Sequence, residues 1–377
     1  MRTTGRVFGV VILALALSFS GAWAQGVIKI GVVTATTGKY APLGQGNITA
    51  INLGAKLLNQ QGGVLGKKIE IVFHDGEALP EKSSQLTKKV VEEDKVPAVI
   101  GCCSTVASFA ISNVCNEKKV LHTYCCPQTS IWKRDGKIFK YSFPTVFGNN
   151  LDAQAIAIFL GRLNVTKVAI FHDSNQYGTE GADLLEKALQ KDGKIKVVAK
   201  EKYQTTDRDL TAALTKMQMQ SPQAMVIWGT MPTPPIIARN MRQIGMNIQI
   251  IGAQGMATPD YALVGKEAAE GTVFTSPLNY GNPLPEEKML FDNYLIEYKK
   301  PPSPFAAHGW DAFMLVVESI KRSNSTDPDK MQAALENLKG YKGAMGVFNF
   351  SPDNHDGLSL DAVSYIKVKE GKWISVQ

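Results

Sequence analysis

A strand followed by a helix, repeated along the chain, is the feature that most narrows what this sequence can fold into. Residues 28–33 are apolar enough for a buried strand. Residues 47–60 follow with Ile48, Ile51, Leu53, Ala55 and Leu58 at helical spacing, and Gly62-Gly63 stops that helix. Residues 69–73, 98–101 and 120–124 read as further strands, separated by helical stretches at 82–93 and 106–116. A second series begins after Pro144, with helices at 151–162, 178–191, 209–218 and 235–244. Its strands are at 167–171, 196–201, 224–228 and 249–252. Such alternation requires parallel sheets covered by helices on both faces, so the pattern predicts an α/β protein with two doubly wound lobes. Ligands of such lobes approach the carboxyl ends of the strands.

The last hundred residues break the pattern. Residues 286–299 and 310–321 are helical with no strand between them, and short strands are predicted at 347–350 and 360–368. These pieces are expected to complete the two lobes, so the chain crosses between them more than once. A length of 377 residues agrees with roughly two domains.

The amino terminus reads as a secretory signal. Arg2 and Arg6 precede an apolar run over 7–19, and Ala22-Trp23-Ala24 has the small-x-small pattern of a cleavage site, leaving Gln25 as the first mature residue. The run is short for a spanning helix, which needs about 20 apolar residues. Residues 1–24 are therefore expected to be removed on export to the periplasm. Hydrophobic residues make up 44% and charged residues 20%, which excludes a disordered or polytopic chain. The net charge is +7, but no Lys/Arg run exceeds two residues, so no nucleic-acid partner is expected.

The loops carry the chemistry. Ser104 and Thr105, in Gly101-Cys102-Cys103-Ser104-Thr105, open a helix. Hydroxyls there serve as a cap, or join the unpaired first-turn amides in holding an anion. Tyr124-Cys125-Cys126-Pro127-Gln128-Thr129 ends the neighbouring strand, as a turn in which Pro127 has no N–H to give. Cys102, Cys103, Cys125 and Cys126 thus end two strands, with Cys115 on the helix between. Export to an oxidising compartment makes a disulfide across the two loops the expectation. The count of five leaves at least one thiol over. No C-x-x-C spacing supports a metal, and no metal or cofactor is expected. Motifs of metalloproteases, α/β-hydrolases and P-loop proteins are missing, and His74, His122, His172, His308 and His355 are scattered, so no enzyme is expected.

Ordered motifs carry a family likeness. They include Thr37-Gly38 with Leu43-Gly44, His74-Asp75, and Asp173 with Tyr177-Gly178. They continue through Gly252-Ala253-Gln254-Gly255 to His308-Gly309-Trp310-Asp311-Ala312. In this order the chain resembles the branched-chain amino acid (leucine/isoleucine/valine-binding) type of periplasmic substrate-binding protein, which feeds ABC importers. The resemblance implies a type I bilobed fold with three hinge crossings, placed near Pro144, Pro277 and Ala344. Lobe one would take 25–143 and 277–344, and lobe two 144–276 and 345–377. It implies a monomer that closes on a small ligand and hands it to membrane permease subunits, with no chemistry of its own. A receptor ectodomain of the same fold is disfavoured, since no transmembrane or signalling segment follows Gln377. A secreted thiol or metal protein is the remaining alternative.

The same resemblance implies the site. Thr105 with Ser104 would hold a ligand carboxylate. Cys126, Pro127 and Gln128 would stand where the family uses backbone and hydroxyl groups. Leu43 would line the pocket, Tyr177 would lie over the ligand, and Met231 would take a second-lobe aromatic position. Gln254 departs most, standing where amino-acid binders carry an acid for the ammonium. A buried ammonium without a carboxylate is costly. The expected ligand is therefore a small aromatic or aliphatic carboxylate without an α-amino group, with an amino acid as the alternative.

Overall fold

The computed structural model describes residues 26–101, 103–280 and 283–376. The signal expected over 1–24 lies outside the described residues, as does Cys102. The chain opens with β1 (Val27–Thr34), α1 (Ala41–Gln60), β2 (Lys68–Asp75), α2 (Pro80–Glu92), β3 (Ala98–Ile100), α3 (Thr105–Lys118) and β4 (Leu121–Tyr124). A small hairpin of β5 (Lys133–Arg134) and β6 (Lys137–Ile138) precedes β7 (Ser142–Pro144). The first sheet has the order β2-β1-β3-β4-β7, with every pair parallel. Its central strands are buried on both faces, which is why they read as continuous apolar runs.

The second series is α4 (Asn149–Arg162), β8 (Lys167–Asp173), α5 (Gln176–Asp192), β9 (Lys196–Tyr203), α6 (Thr211–Gln218), β10 (Ala224–Trp228), α7 (Pro234–Gln243), β11 (Gln249–Gly252), α8 (Pro259–Gly265) and β12 (Val273–Ser276). Helices α9 (Pro285–Tyr298), α10 (Pro304–Ser323) and α11 (Pro328–Glu336) follow, then a hairpin of β13 (Tyr341–Gly343) and β14 (Gly346–Phe348). The chain ends in β15 (Ser364–Lys369) and β16 (Lys372–Val376). The second sheet has the order β16-β15-β12-β11-β10-β8-β9, parallel from β9 to β12 and antiparallel at the β15–β16 edge. The two-lobed α/β architecture expected from the alternation is the one the chain adopts.

The late helices return to the first sheet. Helix α10 lies along α1, where Gly309 faces Asn47 so closely that a Cβ on Gly309 would sit 2.5 Å from the Asn47 Cα. Asn47 Nδ2 also donates to the Phe305 carbonyl at 2.5 Å, pinning α1 to α10. The third crossing comes later than Ala344. Met345, Phe348, Phe350 and Leu358 share the apolar core of Ile30 and Phe313 in the first lobe. The Asp311 carboxylate on α10 accepts the Ala344 and Met345 amides, both at 2.8 Å. Those bonds hold the segment to the first lobe until β15 joins the second sheet. The strand expected from residue 360 starts at Ser364, after a 3-10 turn over Leu360–Ala362.

Candidate functional site

The strand ends of both sheets face one another across a cavity of ≈ 40 Å³. A single water needs roughly 10–15 Å³ on this measure, so the cavity suits a small solute. The first lobe contributes Tyr40 and Leu43 after β1, Cys103 and Thr105 after β3, and Cys125, Cys126 and Pro127 after β4. Val146 at the first crossing and Phe305 and His308 on α10 close that side. The second lobe contributes Tyr177 after β8, Thr230 after β10, and Gln254 and Gly255 after β11. Among the described residues, no Asp, Glu, Lys or Arg lines this cavity.

Six expected residues therefore meet here: Leu43, Thr105, Cys126, Pro127, Tyr177 and Gln254. Three do not reach the cavity. Ser104 is the buried N-cap of α3. Gln128 sits behind Thr105 and Cys126, its Oε1 accepting the Thr105 hydroxyl at 3.0 Å and the Cys126 thiol at 2.9 Å. Met231 is buried in the second lobe's core beside Ile237 and Met241, and its neighbour Thr230 reaches the cleft instead. A methionine has no polar group to keep at a wet cleft, whereas the apolar core rewards its burial.

Of the four cysteines expected to share a disulfide, Cys102 lies outside the described residues. Cys103, Cys115, Cys125 and Cys126 all carry thiols, with no sulfur–sulfur bond between any two of them. The Cys103 and Cys125 sulfurs share an acceptor: both donate to Asn47 Oδ1, at 2.8 and 3.0 Å. An S–H can hold that amide oxygen, and a disulfide cannot. Cys115 is buried within α3, and burial pushes its thiol far up from the ordinary range. Among the described residues, no group of three or more His, Cys, Asp or Glu side chains is placed to hold a metal.

Two second-lobe residues are locked by their own turn. Tyr177 Oη accepts the Gly255 amide at 3.0 Å, which leaves its proton available to a ligand. A Cβ on Gly255 would lie 2.7 Å from that hydroxyl, so the approach needs glycine. Burial raises the Tyr177 phenol well above its ordinary range and keeps it protonated. Gln254 Nε2 donates to the Phe147 carbonyl at 3.0 Å, while its Oε1 is buried with no partner. That contact fixes the amide's orientation, because the reversed amide would set oxygen against oxygen.

Behind the turn sits Asp152. Its carboxylate accepts the Gln254 backbone amide at 3.1 Å and the Thr275 hydroxyl at 2.5 Å. Burial pushes its pKa up to about 7, against hydrogen bonding from Thr275 and from both the backbone and the side chain of Gln254. His308 is pushed the other way, down to about 3, by burial alone in the main, so its ring is neutral. Sequence reasoning passed over His308, Thr230 and Phe305. The 3.6-residue period of α10 is the signal that sets Phe305 and His308 on one face.

The chain matches the family described as Periplasmic binding protein over residues 27–366. It is 25% identical over 331 residues to the leucine-, isoleucine-, valine-, threonine-, and alanine-binding protein of Pseudomonas aeruginosa, covering 88% of this chain and 87% of that one. It is 24% identical to the Leu/Ile/Val-binding protein of Escherichia coli K12, covering 92% and 96%. Among solved structures, a periplasmic binding protein type 1 from Bordetella pertussis aligns with a TM-score of 0.85 at 26% identity, covering 93% and 99%. The branched-chain amino acid transporter substrate binding protein of Streptococcus pneumoniae, solved with isoleucine, aligns at a TM-score of 0.82 and 24% identity, covering 93% and 99%, and shares the fold. Two mainly parallel sheets facing one cleft, and a match across nearly the whole chain, make this protein a non-enzymatic member of the periplasmic binding protein family, with the type I fold.

Proposed function

We propose that this protein is the periplasmic solute-binding subunit of an ABC importer and that it captures a small amino acid. The lobes formed around the two sheets close on the ligand as a monomer and present it to membrane permease subunits. Removal of residues 1–24 would place the mature chain in the periplasm.

The observation that carries an amine-bearing ligand is Gln254 Oε1, a buried acceptor with nothing to accept from. An acid without an amine, the ligand expected from the neutrality of Gln254, would leave that oxygen unsatisfied at a cost of about 1–3 kcal/mol. An ammonium satisfies it, and Asp152 supplies the counter-charge from one hydrogen bond behind. The ligand carboxylate would meet the first-turn amides of α3 and the Tyr177 hydroxyl. The named relatives that bind branched-chain amino acids support the same reading.

Titration calorimetry tests it. Alanine, threonine, valine and leucine are compared with their des-amino acids, and binding by the amino acids only is the expected result. Tighter binding of the des-amino acids would return the assignment to a simple carboxylate.

A further inference from the structure

Besides Gln254 Oε1, two further polar atoms on residues lining the cleft have no partner, and they come from opposite lobes. His308 Nδ1, on α10 of the first lobe, is buried without a hydrogen bond. Thr230 Oγ1, on the loop after β10 of the second lobe, is in the same condition. Both side chains line the one ≈ 40 Å³ cavity. Buried polar atoms are normally satisfied, so two orphans on side chains that line one small space mark where a ligand's own polar group belongs.

Geometry restricts that group. Helix α10 is anchored at this level, since the His308 carbonyl accepts the Thr145 hydroxyl at 3.3 Å and the His308 ring lies against Phe305 with centroids 5.4 Å apart. Apolar Leu43, Val146 and Phe305 take other parts of the wall. The imidazole is neutral, so it offers one ring nitrogen as donor and one as acceptor. A threonine hydroxyl both donates and accepts. A hydroxyl or primary amide can satisfy both orphans at once. An aliphatic side chain leaves both unpaired, and a charged one finds no opposite charge in the lining.

We propose that the ligand is an amino acid with a small, polar, uncharged side chain, bearing a hydroxyl or a primary amide, and that His308 is the specificity-determining residue that selects it. This rests on the amino-acid reading above and narrows it. Threonine and valine have the same shape and differ by one hydroxyl, so their ratio isolates the orphaned pair.

The test is titration calorimetry of the mature protein with threonine, serine, asparagine, valine and aspartate. Threonine is expected to bind at least about tenfold tighter than valine, with aspartate not binding, since an unpaired buried polar group is worth a factor of that order. His308→Phe keeps a flat ring and should bring the threonine-to-valine ratio close to one, and Thr230→Val should lower it from the other lobe. His308→Gln, which keeps polar atoms, should retain part of the preference. Thermal melting of each variant checks that it is folded, and a variant that fails to fold leaves the other two and the wild-type ratio to decide. Valine binding as tightly as threonine in the wild type, or a ratio unmoved by His308→Phe, overturns the role of His308 while leaving an amino-acid binder. Binding of none of these amino acids overturns both readings.

Discussion

The Gln254 backbone amide donates to Asp152 Oδ2 at 3.1 Å, so the turn that faces the cleft rests directly on a buried carboxylate. No cation is paired with that carboxylate by any ion pair among the described residues. A buried acid on α4 thus stands one hydrogen bond behind the turn.

This arrangement predicts a pH dependence of binding. Burial pushes the Asp152 pKa up to about 7. A bound ammonium favours the ionised form and lowers that pKa, so binding releases a proton wherever Asp152 starts protonated. Affinity for an amino acid is expected to rise as pH increases from about 5 to about 8 and then level off. Asp152→Asn should flatten the profile. Calorimetry in buffers of different ionisation enthalpy reads the released proton directly.

Asp152 also predicts how the empty protein's stability changes with pH. The folded pKa is raised, so between about 4 and about 7 the native state binds more protons than the unfolded chain. Stability contributed by this group is therefore present at low pH and lost as pH rises through 7. Asp311, buried and also pushed up to about 7, adds in the same direction. Urea midpoints of the ligand-free protein should fall between pH 5.5 and 8, and Asp152→Asn should reduce that fall.

How much of this was legible in sequence depends on the kind of constraint. Strand and helix periods follow from burial on one or two faces, and residues such as Ile30, Val99 and Val226 show that burial locally. Loop ends such as Thr105 and Tyr177 were reachable because strand termini in α/β sheets converge on ligands. The crossing near residue 360 was not, because the Asp311 bonds to Ala344 and Met345 span more than thirty positions. The common partner of Cys103 and Cys125 was out of reach for the same reason. Asn47 lies 56 and 78 positions from Cys103 and Cys125, and no local pattern announces a shared acceptor at that distance.

The thiols give a second test of that acceptor. Peptide mapping of non-reduced protein should show no bond among Cys103, Cys115, Cys125 and Cys126. Cys103 is only partly buried, so it should be the fastest of these four to alkylate, and closing the cleft on a ligand should slow it. Cys115 should react only after unfolding.

The close backbone approach of α10 to α1 predicts a damaging small substitution. A methyl on Gly309 would lie 2.5 Å from the Asn47 Cα and carbonyl oxygen, both backbone atoms that cannot rotate aside. Gly309→Ala must push α1 from α10 and disturb the Asn47 amide that holds Phe305, Cys103 and Cys125. A loss of roughly 2–4 kcal/mol is expected, at or above the usual overpacking range, because backbone rather than side chain has to move. Denaturant unfolding measures it, and a loss under 1 kcal/mol would mean the helices separate easily.

Gln254 allows the ligand's amine to be tested apart from the rest of the site. Gln254→Met keeps the length of the side chain but removes both the buried acceptor and the bond to the Phe147 carbonyl. The amine then has no neutral partner between itself and Asp152, and amino-acid affinity should fall by about 1–3 kcal/mol. A des-amino acid makes no use of Oε1, and relief of that orphaned oxygen should leave its affinity unchanged or slightly improved. The difference between the two ligands cancels any common effect of losing the Phe147 bond on lobe closure. An equal change for both ligands would show that Gln254 acts only through the crossing at Phe147, and the ammonium would then have to be placed elsewhere in the cleft.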